Sequence, residues 1–171
     1  MSTWNKSKED NLTARRLKEV VIYKNGELLW LIRRPPHGFI GHSAGTTSMN
    51  SGYHWVSIDG IKYPRCRLVW LYHKGRWAPH ELDHKNRIKN DDRIENLRPA
   101  TKSKNMHNRR SNRNSKSGLK GVFPCRTPGM WYSKINVNKK IIIIGRGSDP
   151  LVVHEMYKTA AIKYFGEFAR W

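Results

Sequence analysis

The chain has 171 residues with 33 Lys and Arg against 13 Asp and Glu, a net charge of +20 and a pI of about 10.4. That length holds one domain of usual size or two small ones, and the charge calls for a polyanionic partner. There is no run of eighteen apolar residues and no apolar leader in the polar first ten residues, which argues against a membrane span and a signal peptide and for a cytoplasmic protein.

The first third reads as strands and turns. Val20-Val21-Ile22-Tyr23 and Leu28-Leu29-Trp30-Leu31-Ile32 flank Lys24-Asn25-Gly26, a hairpin signal. A Gly- and Ser-rich loop at 42–52 precedes a second hairpin, 53–58 and 61–63 around Asp59-Gly60. Residues 67–74, stopped by Gly75, predict a short amphipathic helix. Glu81-Leu82-Asp83-His84 then leads into a polar loop at 85–92, the stretch Ile94-Glu95-Asn96-Leu97, and a helical run that Thr101 can cap. On that run Lys102, Asn105, Met106 and Arg109 share a face.

Residues 98–120 hold eight Lys or Arg and no acid, and 108–117 lack any large apolar side chain, the composition of a linker that tracks a phosphate backbone. After it, three β-like runs (119–124, 131–137, 140–145) precede a helix opened by Ser148-Asp149-Pro150. Val152, Val153, Met156, Tyr157, Ala160, Ala161 and Tyr164 form its apolar stripe. The run Ile141-Ile142-Ile143-Ile144 reads as a strand buried on both faces or partly shielded by another segment. Cys66 and Cys125 are far apart and outside any Cys-x-x-Cys pair, so both read as reduced thiols. The fold expected is α+β, with three parts: hairpins and a central unit at 1–107, a basic linker at 108–117, and a sheet-plus-helix domain at 118–171.

Asp83-His84, Asn96 and Asn105 bring together what metal-assisted phosphodiester cleavage needs. Histidine can take a proton from water near neutral pH, a carboxylate holds a hard divalent ion, and amides position and ligate. Residues 53–110 resemble an HNH, or His-Me finger, endonuclease of the phage and intron homing type. The resemblance rests on residues 53–58 with Asp59-Gly60, Arg67-Leu68-Val69-Trp70, Asp83-His84, Asn90, residues 93–98, and Thr101 with Ser103-Lys104-Asn105. It implies a ββα-metal unit with His84 as general base, Asn96 fixing the loop and the base, and Asp83 and Asn105 as ligands of one divalent ion, Mg²⁺ (or Mn²⁺). Cys66 stands where members often carry histidine, His107 falls off the register, and His73 and His80 read as surface or packing histidines.

Residues 117–170 are similar to an AP2-type DNA-binding domain through Ser117-Gly118-Leu119-Lys120-Gly121-Val122, Trp131, Ile144-Gly145, Tyr157, Ala160-Ala161 and residues 164–169. That likeness implies DNA contacts from Lys120, Arg126, Trp131, Lys134, Asn136 and Arg146. The basic stretch adds Arg98, Lys102, Arg109, Arg110, Arg113 and Lys116. The expected function is a metal-dependent endonuclease that nicks or cuts double-stranded DNA to 5′-phosphate and 3′-hydroxyl ends. It would act as a monomer, without a small-molecule cofactor or a membrane partner. The alternatives are a non-catalytic AP2-like DNA-binding regulator with a decayed nuclease unit, and an RNA-binding structural protein.

Overall fold

The computed structural model describes residues 6–33, 38–107 and 115–171. The chain divides into two compact units between Thr101 and Lys102.

The first unit opens with a 3-10 turn, Lys6–Asn11, followed by a helix that the sequence reading missed: α1, Ala14–Val20. Its signals are local. Thr13 caps it by accepting a hydrogen bond from the Arg16 amide (3.2 Å), and Glu19 sits three and four residues after Arg16 and Arg15 for ion pairs. Leu17 and Val20, three apart, are its buried residues. The β-branched Val20-Val21-Ile22 run then turns the chain into β1 (Val21–Lys24), which pairs antiparallel with β2 (Glu27–Trp30). Asn25 (φ 51°) and Gly26 (φ 87°) make the expected turn, and a methyl at Gly26 would come within 2.7 Å of Arg93 Cγ.

β3 (Thr46–Thr47), β4 (His54–Ile58) and β5 (Ile61–Pro64) form an antiparallel sheet whose Asp59-Gly60 turn was also expected. The Asp59 carboxylate receives Arg16 Nε and Nη2, each at 3.0 Å, which ties α1 to this hairpin. β5 runs directly into α2 (Arg65–Lys74), which starts two residues before the predicted helix and ends at left-handed Gly75 (φ 68°). The hydrophobic core gathers Leu17, Val21, Leu28, Val56, Ile58, Tyr63, Leu68 and Leu71. Arg65 and Arg67, in the first turn of α2, are buried, although charge normally marks a solvent face. Arg67 pairs with Glu9 and donates to the carbonyls of Ala78 (2.8 Å) and His80 (2.9 Å). β6 (Glu81–His84) and β7 (Leu97–Ala100) complete the unit as an antiparallel pair with Asp83 opposite Arg98 and His84 opposite Leu97.

The second unit contains α3 (Lys102–His107), β8 (Val122–Pro124), β9 (Trp131–Val137), β10 (Lys140–Gly147) and α4 (Pro150–Phe165). The strands form one antiparallel sheet in the order β10-β9-β8. Asp149 caps α4 by accepting from the Leu151 amide (2.8 Å), with Pro150 in the first turn. Of the predicted stripe, Val153, Tyr157, Ala160 and Ala161 are buried, whereas Val152, Met156 and Tyr164 are exposed. The buried position not foreseen is His154, whose Nδ1 bonds the Lys120 carbonyl (3.0 Å) and whose ring stacks on Tyr157. Burial lowers the His154 pKa below the ordinary value, so the neutral ring is the one that donates. Gly121 lies against the Tyr157 ring, with no room for a Cβ (2.1 Å).

Of the two expectations for the isoleucine run, burial on both faces fails and partial shielding by another segment, α4, is what the structure has. Ile142 and Ile144 pack on the α4 side with Ile135 and Ala161, while Ile141 and Ile143 are 62% and 48% exposed. A homogeneous run carries no period, so its faces are set only by the pairing with β9.

Among the described residues no helix is long and apolar enough to cross a membrane.

Candidate active site

β6 presents Asp83 and His84 to opposite faces, as strand alternation requires. His84 lies on the inner face, 4% exposed. Its Nε2 meets Asp92 Oδ1 at 2.8 Å, and Asp92 Oδ2 receives Arg65 Nε at 2.7 Å. Arg65 also donates from Nη2 to the Asn90 carbonyl (2.8 Å). The result is a buried Arg65–Asp92–His84 chain that joins the first turn of α2, the polar loop and β6. Asp92 and Arg65 were not among the expected site residues. Asp92 looked like one more polar loop residue, and its partner lies 27 positions earlier.

The other face of β6 carries Asp83. Arg98, directly opposite on β7, holds Asp83 Oδ2 through Nε (2.9 Å) and Nη2 (2.8 Å). Arg98, expected to contact DNA, is 6% exposed and occupied in this pair.

Asn96 works on the loop. Its Oδ1 accepts from the Asn86 amide (3.0 Å), while Nδ2 donates to Asn86 Oδ1 (3.0 Å) and to the Asp91 carbonyl (2.7 Å). The Lys85 amide donates to the Asn96 carbonyl (2.9 Å). Asn86 continues the network to Asp91, whose carboxylate Arg93 grips through Nε and Nη2, each at 2.8 Å. Those Arg93 hydrogen bonds hold Asp91 well below the usual carboxylate range. Asn96 therefore fixes residues 85–96, and with them Asp92, in front of His84. Asn96→Ala removes three side-chain hydrogen bonds, at about 1 kcal/mol each. Trypsin should then cut faster at Lys85, Arg87 and Lys89; an unchanged rate would count against the clamp.

Tyr53 covers the site from the Gly- and Ser-rich loop, its ring centroid 6.0 Å from that of His84. Lys89 lies over the Tyr53 ring (5.1 Å) and donates to the Ser51 carbonyl (2.8 Å), so the two loops meet here. Burial raises the Tyr53 pKa, keeping the phenol protonated.

Residues 64–107 match the HNH endonuclease family. The match takes in α2, β6, the Asn96-clamped loop, β7 and α3, and it supports a nuclease acting on DNA. No curated protein and no solved structure matches the chain.

HNH nucleases use a divalent metal, and two donor sets bear on where one would sit. Cys66, His84 and Asp92 offer ligand atoms all within 4.8 Å of one another. That set mixes a thiol with imidazole and suits a thiophilic ion such as zinc more than magnesium. Burial, reinforced by the Asp92 charge, pushes the Cys66 thiol up to about 12, so without an ion beside it Cys66 is a protonated thiol. Asp92 is also already engaged on both oxygens. Asp83 is a hard oxygen donor of the kind Mg²⁺ takes, with Arg98 on one of its two oxygens. Asn105, the expected second ligand, lies half-buried on α3 in the second unit.

Apart from Arg98, the expected DNA-contacting residues belong to α3, the linker and the sheet of the second unit with its adjoining loops. Arg109, Arg110 and Arg113, and the side chain of Lys102, lie outside the described residues. Lys116, Lys120, Arg126 and Arg146 sit at the surface or half-buried in the second unit, and Lys134 and Asn136 lie on the open face of its sheet. Trp131 is half-buried and, by alternation along β9, shares the α4 face with Ser133 and Ile135.

Proposed function

We propose that this chain is a homing-type HNH endonuclease that hydrolyses phosphodiester bonds in double-stranded DNA with one divalent ion, Mg²⁺ or Mn²⁺. The observation that carries the reading is the Asp92-braced His84 beside Asp83, inside the segment that matches HNH endonucleases. Asp83, on β6, is the residue of the first unit that would hold the ion. Bound there, the ion would supply charge neutralisation to the phosphodiester as it is cleaved.

The protein's own groups do the rest. Asp92 accepts the Nε2 proton, which selects the tautomer with its lone pair on Nδ1. His84 takes the proton of the attacking water at Nδ1, and Asp92 stabilises the imidazolium that results. The new P–O bond forms as the P–O3′ bond breaks, so the ends are 5′-phosphate and 3′-hydroxyl. Arg65 holds Asp92 in place through Nε, and Asn96 holds the loop that carries it. The AP2-like part of the chain, 118–171, and the basic 108–117 linker hold the duplex. One centre per monomer makes a nick the elementary product.

DNA ligase alone should seal those nicks; a requirement for prior phosphorylation or removal of a 3′-phosphate would contradict the mechanism. Cys66 has no part in it. Cys66→Ala is therefore expected to retain Mg²⁺-dependent nicking within about threefold, the size of a small effect at a residue outside the reacting groups. Loss of nicking together with loss of bound zinc would instead place the working ion on Cys66, His84 and Asp92.

Two observations favour a second reading, a DNA-binding regulator with a decayed nuclease unit: His84 is 4% exposed and Asp83 is paired with Arg98. Tight duplex binding with no strand cleavage in Mg²⁺ or Mn²⁺ would select it.

A further inference from the structure

The open face of the second unit's sheet has a composition that phosphate binding alone does not explain. By the register of the three strands it carries Phe123, Tyr132, Lys134, Asn136, Ile141 and Ile143. The opposite face, with Ser133, Ile135 and Ile142, packs toward α4. Lys134 Nζ lies over the Phe123 and Tyr132 rings (4.5 and 5.8 Å), which confirms that these side chains share the outer surface.

β8 spans only Val122–Pro124 and pairs with Trp131, Tyr132 and Ser133. Beyond Ser133 the sheet narrows to a two-stranded ribbon, with Lys134 opposite Ile143 and Asn136 opposite Ile141, closed by the Asn138-Lys139 turn (φ 51° and 66°). A two-stranded antiparallel ribbon is a shape that the B-DNA major groove admits. Charge points to the same occupant. Residues 117–148 hold six Lys or Arg and no Asp or Glu, and the acids of the second unit, Asp149, Glu155 and Glu167, all fall at α4 or after it.

On such a ribbon, Asn136 can pair with adenine and Lys134 with guanine or phosphate. Ile141 and Ile143 can do neither. Their exposed methyl and methylene groups match the one apolar group on a base edge in the major groove, the thymine C5-methyl.

Resting on the reading of the second unit as the DNA-holding part, we propose that Ile141 and Ile143 determine sequence specificity by packing on thymine methyl groups, with Asn136 and Lys134 as the polar readers beside them. Each contact buries about one methyl group against the isoleucine, an effect of roughly fourfold in affinity, so two contacts give on the order of tenfold.

The test uses the full-length protein in EDTA at one fixed salt concentration. Duplexes selected by binding from a random-sequence pool are re-amplified with dUTP in place of dTTP, which removes the C5-methyl and nothing else. Wild type should bind the uracil form on the order of tenfold more weakly. The Ile141→Ala/Ile143→Ala variant should bind thymine and uracil forms alike. Equal binding of both forms by wild type would overturn the proposal, as would discrimination that survives in the variant; a self-association face would also give equal binding. If plasmid nicking persists alongside equal binding, this inference fails alone. If the protein neither retains nor nicks duplex DNA, both it and the reading beneath it fail.

Discussion

His84→Ala is expected to lower the rate of plasmid nicking on the order of 10³-fold, the usual worth of a positioned general base, while leaving duplex affinity unchanged. The effect should be this large because no other imidazole stands in for it in the bracing pair. Asp92 Oδ1 accepts His84 Nε2 at 2.8 Å, and its Oδ2 is held by Arg65. His84 is also buried, so truncation leaves a space and removes one partner of Asp92. His84→Gln, which can still donate to Asp92 but cannot take the proton, separates chemistry from folding. Both variants should bind DNA as wild type does and both should fail to nick it. Nicking by folded His84→Gln at the wild-type rate would remove the histidine from the mechanism.

Arg65 carries the second large effect, on stability. The Arg65–Asp92 pair is 2.7 Å long with side chains 5% and 2% exposed. Burying two charges is costly in itself, so the pair is weak evidence of net stabilisation. Removing one partner is another matter, because it strands the other charge in a low-dielectric interior. Arg65→Met should destabilise the first unit by about 3–5 kcal/mol. At a slope of about 2 kcal/mol/M, that lowers its urea midpoint by about 2 M. Trp30, Trp55, Trp70 and Trp77 all lie in the first unit and report on it by fluorescence. Adding Asp92→Asn to Arg65→Met should recover part of the loss, since no carboxylate is then left uncompensated. A single-variant cost below about 1 kcal/mol, typical of a solvent-exposed pair, would show that Asp92 finds water or another cation.

These two expectations rest on different degrees of legibility in the sequence. The Asn-Gly and Asp-Gly turns, the Gly75 stop of α2 and the Asp149-Pro150 start of α4 were readable because backbone geometry at those points is set by one or two residue types. The antiparallel pairing that places Asp83 opposite Arg98 follows from hydrophobic patterning only in outline; the register itself appears with the fold. α1 was missed although Thr13 and Glu19 marked it, since its apolar face amounts to Leu17 and Val20 alone. The Arg65–Asp92–His84 chain was not legible at all. His84 stood out, but Arg65 and Asp92 each look like a surface residue in their own segment, and only tertiary packing brings α2 to the loop. The isoleucine run shows the reverse problem, in which uniform composition hides a strand with one dry and one open face.

The closest test of the whole account is incubation of supercoiled plasmid with purified protein in Mg²⁺, with and without EDTA. The account predicts nicked and then linear plasmid with Mg²⁺ and intact supercoiled plasmid with EDTA. Supercoiled plasmid that stays intact in Mg²⁺ and in Mn²⁺, or is cut equally in EDTA, would contradict it.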